Sequence, residues 1–370
     1  MKKNILLYMP AVYHGGAETQ FRYLVSELNK ESSVKLYVII ENSDEHFEEF
    51  AKENSNVTFI SFSLNYLNQK PTSRYISIIT SLKSNLIAVF KSVLFLIKHR
   101  DINYCVAYDG IGSRLFFLMH ILKIKTIFSE RVDGTEIVKR WINRKNLKNA
   151  SAVYANSISG SSFLRDKLNR NVPVIFNGIQ TDESAQVKTI GNEFSILVVS
   201  RVNKLKNIFT IVKAIREIQK IQKVKLVICG KIEDQLYYNE MCDYIKNNQL
   251  ENDVLFIGYT KDIKNFYKEA DLVVLASYHE GMPNAILESY ANKRIVLASN
   301  IEMNTAIVQN KKFIFDPNSP KELSNKIEMV MTMTEEEKSE LVKKNYEFVK
   351  SDFGVSQMAT NFLHLLESID

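Results

Sequence analysis

The feature that most constrains this fold is a rhythm of short apolar runs, rich in Val and Ile, separated by longer amphipathic segments. A first series comprises residues 5–8, 34–40, 57–62, 104–107, 125–128, 152–155 and 174–176. A second comprises 195–200, 225–229, 254–257, 272–276 and 295–298. Such runs read as strands buried on both faces, and the helical segments between them supply the crossovers of parallel sheets. The polar stretch 180–193 has no apolar periodicity and reads as a linker. A chain of 370 residues exceeds one typical core. The expectation is an α/β chain of two doubly wound domains, 1–185 and 186–354, with a cleft between them. Ser319 and Pro320, followed by acidic residues, open a capped helix. Residues 355–366 carry apolar side chains at helical spacing and form a terminal helix.

Composition narrows the class. The chain is 45% hydrophobic and 24% charged, ordinary for a soluble globular protein. Glycine is scarce, 12 in 370, under half the usual ~7%, so each glycine is informative. Cys105, Cys229 and Cys242 are widely spaced with no metal-binding pattern, and read as reduced thiols of a cytoplasmic protein. The amino terminus has only a short apolar run, so no signal peptide is expected. The longest apolar stretch, 76–97, is broken by Lys83, Ser84, Asn85 and Lys91 and is too interrupted to span a membrane. Across residues 73–100, Ile76, Ile79, Leu82, Leu86, Val89, Val93 and Leu96 fall at helical spacing among basic residues, the pattern of a helix that can lie on an anionic membrane or pack on a sheet. The net charge of +6 suits phosphate ligands or such a surface. No basic run is interleaved with aromatics, and nucleic acid is not an expected partner.

The stretch Ser277-Tyr278-His279-Glu280-Gly281-Met282-Pro283-Asn284-Ala285-Ile286-Leu287-Glu288 follows an apolar run. Glu280 and Glu288 are eight positions apart, one on a loop and one about a turn into the helix that Pro283 and Asn284 begin. Both can face a ligand over the strand's carboxyl end, where open α/β sheets bind. Backbone N–H groups from Gly281, Met282, Pro283's neighbours and Asn284 suit a phosphate at the helix start. After the run 195–200 come Arg201 and Lys206, a guanidinium and an ammonium suited to a diphosphate. The first strand leads into His14-Gly15-Gly16-Ala17-Glu18, where paired glycines admit close backbone approach. Asn177-Gly178 reads as a turn or hinge, and Gly230 and Gly258 end strands.

These motifs together resemble the family-4 glycosyltransferases. Glu280 and Glu288 match the family's Glu-x7-Glu, Arg201, Lys206 and Asn207 match its Arg and Lys-Asn positions, and Gly15-Gly16-Ala17-Glu18 matches its first loop. Asn177-Gly178-Ile179 matches the motif preceding the family's interdomain linker. The resemblance runs from Gly15 to Glu288 and implies two Rossmann-like domains facing across a cleft, the GT-B arrangement, with helix 355–370 packing back on the first. It implies that Arg201 and Lys206 bind the donor phosphates and stabilise the leaving group. Glu288 would hold the donor ribose, Glu280 would lie near the transferred sugar, Gly230 and Gly258 would flank the base pocket, and Gly16 would approach the donor. The implied activity is retaining transfer of a hexosyl or N-acetylhexosaminyl group from a nucleotide diphospho-sugar, UDP-linked, to a glycan or lipid-linked acceptor. No cofactor or metal is implied, and the sequence has no Asp-x-Asp motif. The implied setting is bacterial capsule or lipopolysaccharide synthesis in the cytoplasm or peripherally on the inner face of the membrane.

The chain departs from the family pattern in two places. The loop after the fifth strand reads Ser129-Glu130-Arg131-Val132-Asp133-Gly134, where many members carry a histidine. His14, Glu130, Arg131 and Asp133 are the candidate acceptor-binding residues. The segments 291–296 and 300–304 lack the family's usual glycines, which points to an atypical sugar pocket. Three rival readings stand beside the transferase: a sugar-nucleotide epimerase of the same fold, a non-enzymatic sugar-binding protein, and a nicotinamide-dependent dehydrogenase. Glu41 ends the second strand as a ribose-binding acid would, but the dinucleotide Gly-x-Gly-x-x-Gly is missing.

Overall fold

The computed structural model describes residues 2–11, 16–42, 45–62, 74–108, 112–131, 138–139, 141–183, 193–219 and 221–370. The chain divides into two compact units, Met1–Gly178 with Val355–Asp370, and Ile179–Gly354. The division falls at Gly178, seven residues before the position 185 taken from the sequence, and most of the expected linker lies outside the described residues.

Unit 1 holds strands β1 (Lys3–Ala11), β2 (Val34–Asn42), β3 (Thr58–Ser61), β4 (Tyr104–Ala107), β5 (Lys125–Glu130) and β6 (Ala152–Ala155). Its helices are α1 (Gly16–Lys30), α2 (Glu45–Glu53), α3 (Arg74–Lys98), α4 (Phe116–Ile121), α5 (Trp141–Asn149) and α6 (Ile158–Leu168). The sheet order is β3-β2-β1-β4-β5-β6, with every pairing parallel. Every residue of β4 and β6 is buried, as the unbroken apolar runs require of strands covered on both faces. The run 174–176 makes only a single bridge, Ala155 to Val174.

Unit 2 holds β7 (Phe194–Val199), β8 (Val224–Cys229), β9 (Val254–Gly258), β10 (Leu272–Leu275), β11 (Ile295–Ser299) and β12 (Ile314–Phe315). Its helices are α7 (Ile208–Ile218), α8 (Gln235–Asn247), α9 (Ile263–Glu269), α10 (Asn284–Ala291), α11 (Glu302–Ile307), α12 (Pro320–Thr332) and α13 (Glu335–Asp352). The order β12-β11-β10-β7-β8-β9 is again all parallel. Counted within each unit, both sheets have the order 3-2-1-4-5-6 of the Rossmann fold. The chain therefore carries the two Rossmann-like domains of a GT-B protein. Two-residue β12 is too short to leave a sequence signal.

Ser319 caps α12, its Oγ accepting from the Glu322 amide at 3.1 Å, with Pro320 in the first turn. The terminal helix α14 (Val355–Glu367) belongs to unit 1. Its Met358, Phe362 and Leu366 share one core cluster with Phe21, Leu24 and Leu28 of α1. Asp370 accepts hydrogen bonds from Lys3 at 3.2 Å and Lys125 at 2.9 Å.

Two expectations change. Gly178 does not take a left-handed conformation. A Cβ there would lie 2.8 Å from the Val355 Cα, so glycine is needed for close approach of the chain, and Gln20 bonds both its N–H and its carbonyl. In α3 the apolar face read from the sequence divides between sheet and solvent, and the side chains of its Ile76, Ile79 and Leu82 lie outside the described residues. Leu86 is exposed, but Leu96 is buried and Val89 and Val93 are half-buried. Phe90, Leu94 and Ile97 take the outside instead.

Candidate functional site

In unit 2 the strand order reverses between β7 and β10, so the crevice at their carboxyl ends is where an open sheet binds its ligand. The loops leaving these two strands carry Arg201, Lys206 and Glu280. Lys206 ends a single 3₁₀ turn, 204–206, which Asn203 caps by accepting from the Lys206 amide at 3.0 Å. Asn207 then turns left-handed, at φ 51°. Its buried amide donates to the carbonyls of Ala276 at 3.2 Å and Pro317 at 2.8 Å. The Tyr278 N–H donates to the Leu205 carbonyl at 2.9 Å. The two loops are thus fastened to one another, and the lysine meets the glutamate. Lys206 Nζ donates to Glu280 Oε1 at 2.6 Å, with side chains 13% and 9% exposed.

The same Glu280 oxygen accepts from Ser277 Oγ at 2.6 Å. Behind it stands a buried relay: Ser299 Oγ donates to the Ser277 carbonyl at 2.6 Å, and Asn304 donates to Ser299 Oγ at 3.0 Å. Ser277, Ser299 and Asn304 are fully buried. Asn304, in the segment that departs from the family, supports the Glu280 loop from beneath.

Arg201 is exposed. It donates to Glu233 at 2.9 Å, and Asn203 donates to the other Glu233 oxygen at 2.9 Å. Burial works to raise the Glu233 carboxyl, but these hydrogen bonds outweigh it and leave the carboxyl below its usual range. Gly230, at the end of β8, faces this loop: a Cβ there would lie 1.8 Å from the Ser200 carbonyl oxygen. Its N–H donates to the Gly258 carbonyl at 2.8 Å.

Pro283 stands just before α10 rather than inside it, and Asn284 is the first helical residue. Gly281, Met282 and Asn284 are half-buried and Pro283 is buried. Glu288 is one turn into α10 and half-buried; it accepts from the buried Tyr267 hydroxyl at 2.9 Å. Burial lifts the Glu288 carboxyl above its usual range, and the Tyr267 hydrogen bond only partly offsets that.

In unit 1, Gly16 begins α1, while His14, Gly15 and Asp133 lie outside the described residues. Glu130 is buried at the end of β5 and accepts from the Arg131 amide at 3.0 Å. The Arg131 guanidinium lies 5.0 Å from the Tyr108 ring centroid and 5.6 Å from that of Tyr154, and donates to Asn177 Oδ1 at 3.1 Å. Asn156 donates to the same Asn177 oxygen at 3.4 Å, so Asn177 is a buried hub as well as a linker marker. Ser129 Oγ, Arg131 Nε and Asn156 Oδ1 are buried without a hydrogen-bond partner. Such groups are costly unless something satisfies them, and these three gather at the carboxyl ends of β5 and β6.

Tyr267, Ser299, Tyr108 and Asn156 were not singled out from the sequence, and Ser277 and Asn304 stood in segments it marked without a role of their own. Most are brought to their partners across long sequence separations, and no local spacing announces them. Among the described residues no cluster of three or more His, Cys, Asp or Glu comes together.

Residues 180–348 match the family model described as "Glycosyl transferases group 1". That stretch, nearly all of unit 2, is similar to this family. Over 82 residues the chain is 37% identical to the Escherichia coli UDP-Gal:alpha-D-GlcNAc-diphosphoundecaprenol alpha-1,3-galactosyltransferase, covering 22% of this chain and 20% of that one. Over 224 residues it is 24% identical to the Staphylococcus aureus capsular polysaccharide biosynthesis glycosyltransferase CapM, covering 58% and 56%. The chain thus spans between a fifth and just over half of the length of these curated relatives. Among solved structures, Anabaena HepE in complex with UDP and glucose has a TM-score of 0.76 at 19% identity, covering 99% of this chain and 100% of that one. At that identity the likeness concerns the fold.

Proposed function

We propose that the chain is a retaining glycosyltransferase that moves a hexosyl or N-acetylhexosaminyl group from a UDP-linked sugar to a glycan or lipid-linked acceptor. The observation that carries this reading is the Lys206–Glu280 pair at the switch point of unit 2, with Glu288 one turn along α10 and Arg201 at the rim. Arg201 and Lys206 neutralise the diphosphate and, as the anomeric bond breaks, the charge that develops on the leaving nucleoside diphosphate. To do so Arg201 exchanges Glu233 for a phosphate oxygen. Glu288 accepts from the ribose hydroxyls. Glu280, held by Ser277 and Lys206, faces the sugar. The charge on the leaving group is met by these side chains and the amides at the start of α10, and no metal enters the scheme.

The acceptor binds unit 1 at Glu130 and Arg131, where the unpaired oxygens of Ser129 and Asn156 suit a hydroxyl-rich ligand. The named relatives, one acting on a diphosphoundecaprenol-linked sugar and one in capsular polysaccharide biosynthesis, support a cell-surface glycan built at the cytoplasmic face. The test is turnover of a panel of UDP-sugars with and without glycan acceptors, with the product's anomeric configuration read by NMR. Transfer with retention, unchanged by EDTA, is expected. Conversion of the UDP-sugar without acceptor would favour an epimerase, and binding without turnover a sugar-binding protein.

A further inference from the structure

We propose that the outer surface of α3 and α4 in unit 1 is a docking face for an anionic lipid bilayer. Scattered exposed apolar side chains are normal on a soluble protein. Here they are concentrated. Of the fourteen large hydrophobics exposed among the described residues, seven lie between positions 86 and 122. Leu86, Phe90, Leu94 and Ile97 of α3 are 52–71% exposed, and Phe117, Ile121 and Leu122, in and just after α4, are 48–74% exposed.

The α3 residues form one stripe. At 3.6 residues per turn, positions 86, 90, 94 and 97 fall within an arc of about 80°. Ala88, Phe95 and Leu96 point the other way, into a core cluster they share with Leu115, just before α4, and Met119 of α4. Both helices therefore cover the same face of the sheet and turn apolar side chains outward from it. The inward face already satisfies the core, so the outward stripe needs a second partner to leave water.

Charge selects the partner. Neither helix contains a single Asp or Glu. Lys83, Lys91, Lys98, Arg100 and Lys123 are all exposed on or beside them, and Lys91 also reaches the Phe62 carbonyl at 2.8 Å. Asp101, beyond α3, is engaged by Lys35 and Tyr37. An apolar stripe on helices whose charged residues are all cations matches a bilayer interface with anionic headgroups. No helix of the described residues is long and apolar enough to cross a membrane, so the face lies on the surface with its apolar side chains at the acyl boundary. Docking needs no donor or acceptor, so it stands or falls apart from the transfer reading.

The experiment is flotation of the full chain with phosphatidylcholine vesicles, with and without phosphatidylglycerol, at low and high salt. Wild type is expected to float with the anionic vesicles and to be released by salt. The double variant Phe90→Ser/Leu94→Ser should lower the partition by at least about tenfold, and Lys83→Glu/Lys98→Glu should abolish the preference for phosphatidylglycerol. All four side chains are exposed, so both variants should keep the wild-type melting temperature. Three results would overturn the proposal: no flotation of wild type at low salt, equal flotation of wild type and the serine variant, or a wild-type dimer that the serine variant dissolves while neither binds vesicles. The last would make the stripe a contact between copies of the chain.

Discussion

Lys206 and Arg201 carry the same formal charge, but their surroundings give the two residues different consequences. The Lys206–Glu280 pair is mostly enclosed, and Lys206→Ala strands a carboxylate with Ser277 as its remaining donor. A cost of roughly 2–3 kcal/mol is expected, short of the ~3–5 kcal/mol of a fully buried pair because both side chains keep some solvent contact. Arg201 is 60% exposed, and Arg201→Ala should cost under about 1 kcal/mol in stability. Both variants should weaken the nucleoside diphosphate by about 1.5–3 kcal/mol, roughly 10- to 100-fold. Urea unfolding and UDP titration calorimetry check the two halves separately; wild-type UDP affinity in both would end the clamp assignment. Glu288 behaves in the opposite sense. Its carboxyl is raised, so the folded state holds that proton more tightly than the unfolded chain does. Its contribution to stability is full below the unfolded value and lost as pH climbs through the raised one. Glu288→Gln should remove that decline, leaving the protein at least as stable at pH 7 while UDP binds more weakly. Unfolding curves from pH 4 to 8 decide it, and a less stable variant at pH 7 would contradict the argument. Cysteines follow burial too. The Cys105 thiol is pushed up to about 12 and Cys229 to about 11, so iodoacetamide at pH 8 should label partly exposed Cys242 first.

At the scale of elements, the junctions were the least legible and are the most sensitive. Gly230 follows β8 so closely behind Ser200 that Gly230→Ala must displace backbone. A loss above ~2 kcal/mol is expected, with the diphosphate loop disturbed; a neutral effect on melting would mean the loop relaxes freely. The cap of α13 is a milder case. Thr334 and Glu337 form a reciprocal capping box, and Thr334→Ala should cost about 1 kcal/mol. Most strand runs were legible because buried parallel strands are apolar without interruption, as in β4, β6, β10 and β11. The stripe of α3 was not, because that helix is apolar around most of its circumference. Spacing alone cannot say which arc meets the sheet; the position of β1, β2 and β4 beneath it decides.

At the scale of the whole molecule, one topology is used twice, and the last sixteen residues, Val355–Asp370, complete unit 1 from the far end of the chain. Truncation at Gly354 removes the cover of α1, while the sheet of unit 2 lies wholly within Ile179–Gly354. Calorimetry of chain 1–354 should lose or strongly lower one transition and retain the other; two unchanged transitions would show that α14 is dispensable. The point variant Phe362→Ala, at a fully buried position, should lower the same transition by about 3–5 kcal/mol. The sequence by itself determined two α/β units, the loops bearing Arg201, Lys206, Glu280 and Glu288, and the proline start of α12, because apolar periodicity and turn chemistry are local properties of the chain. Only the tertiary structure decided that Lys206 meets Glu280, that Tyr267 bonds Glu288, that Asn304 underpins the site through Ser299, and that Asn177 gathers Arg131 and Asn156. Each of these contacts joins residues 21 or more positions apart except the Asn304–Ser299 link, which depends on α11 folding back beneath β11. A sequence states which groups are available, whereas the order in which parallel strands stack sets which of them come within hydrogen-bonding distance.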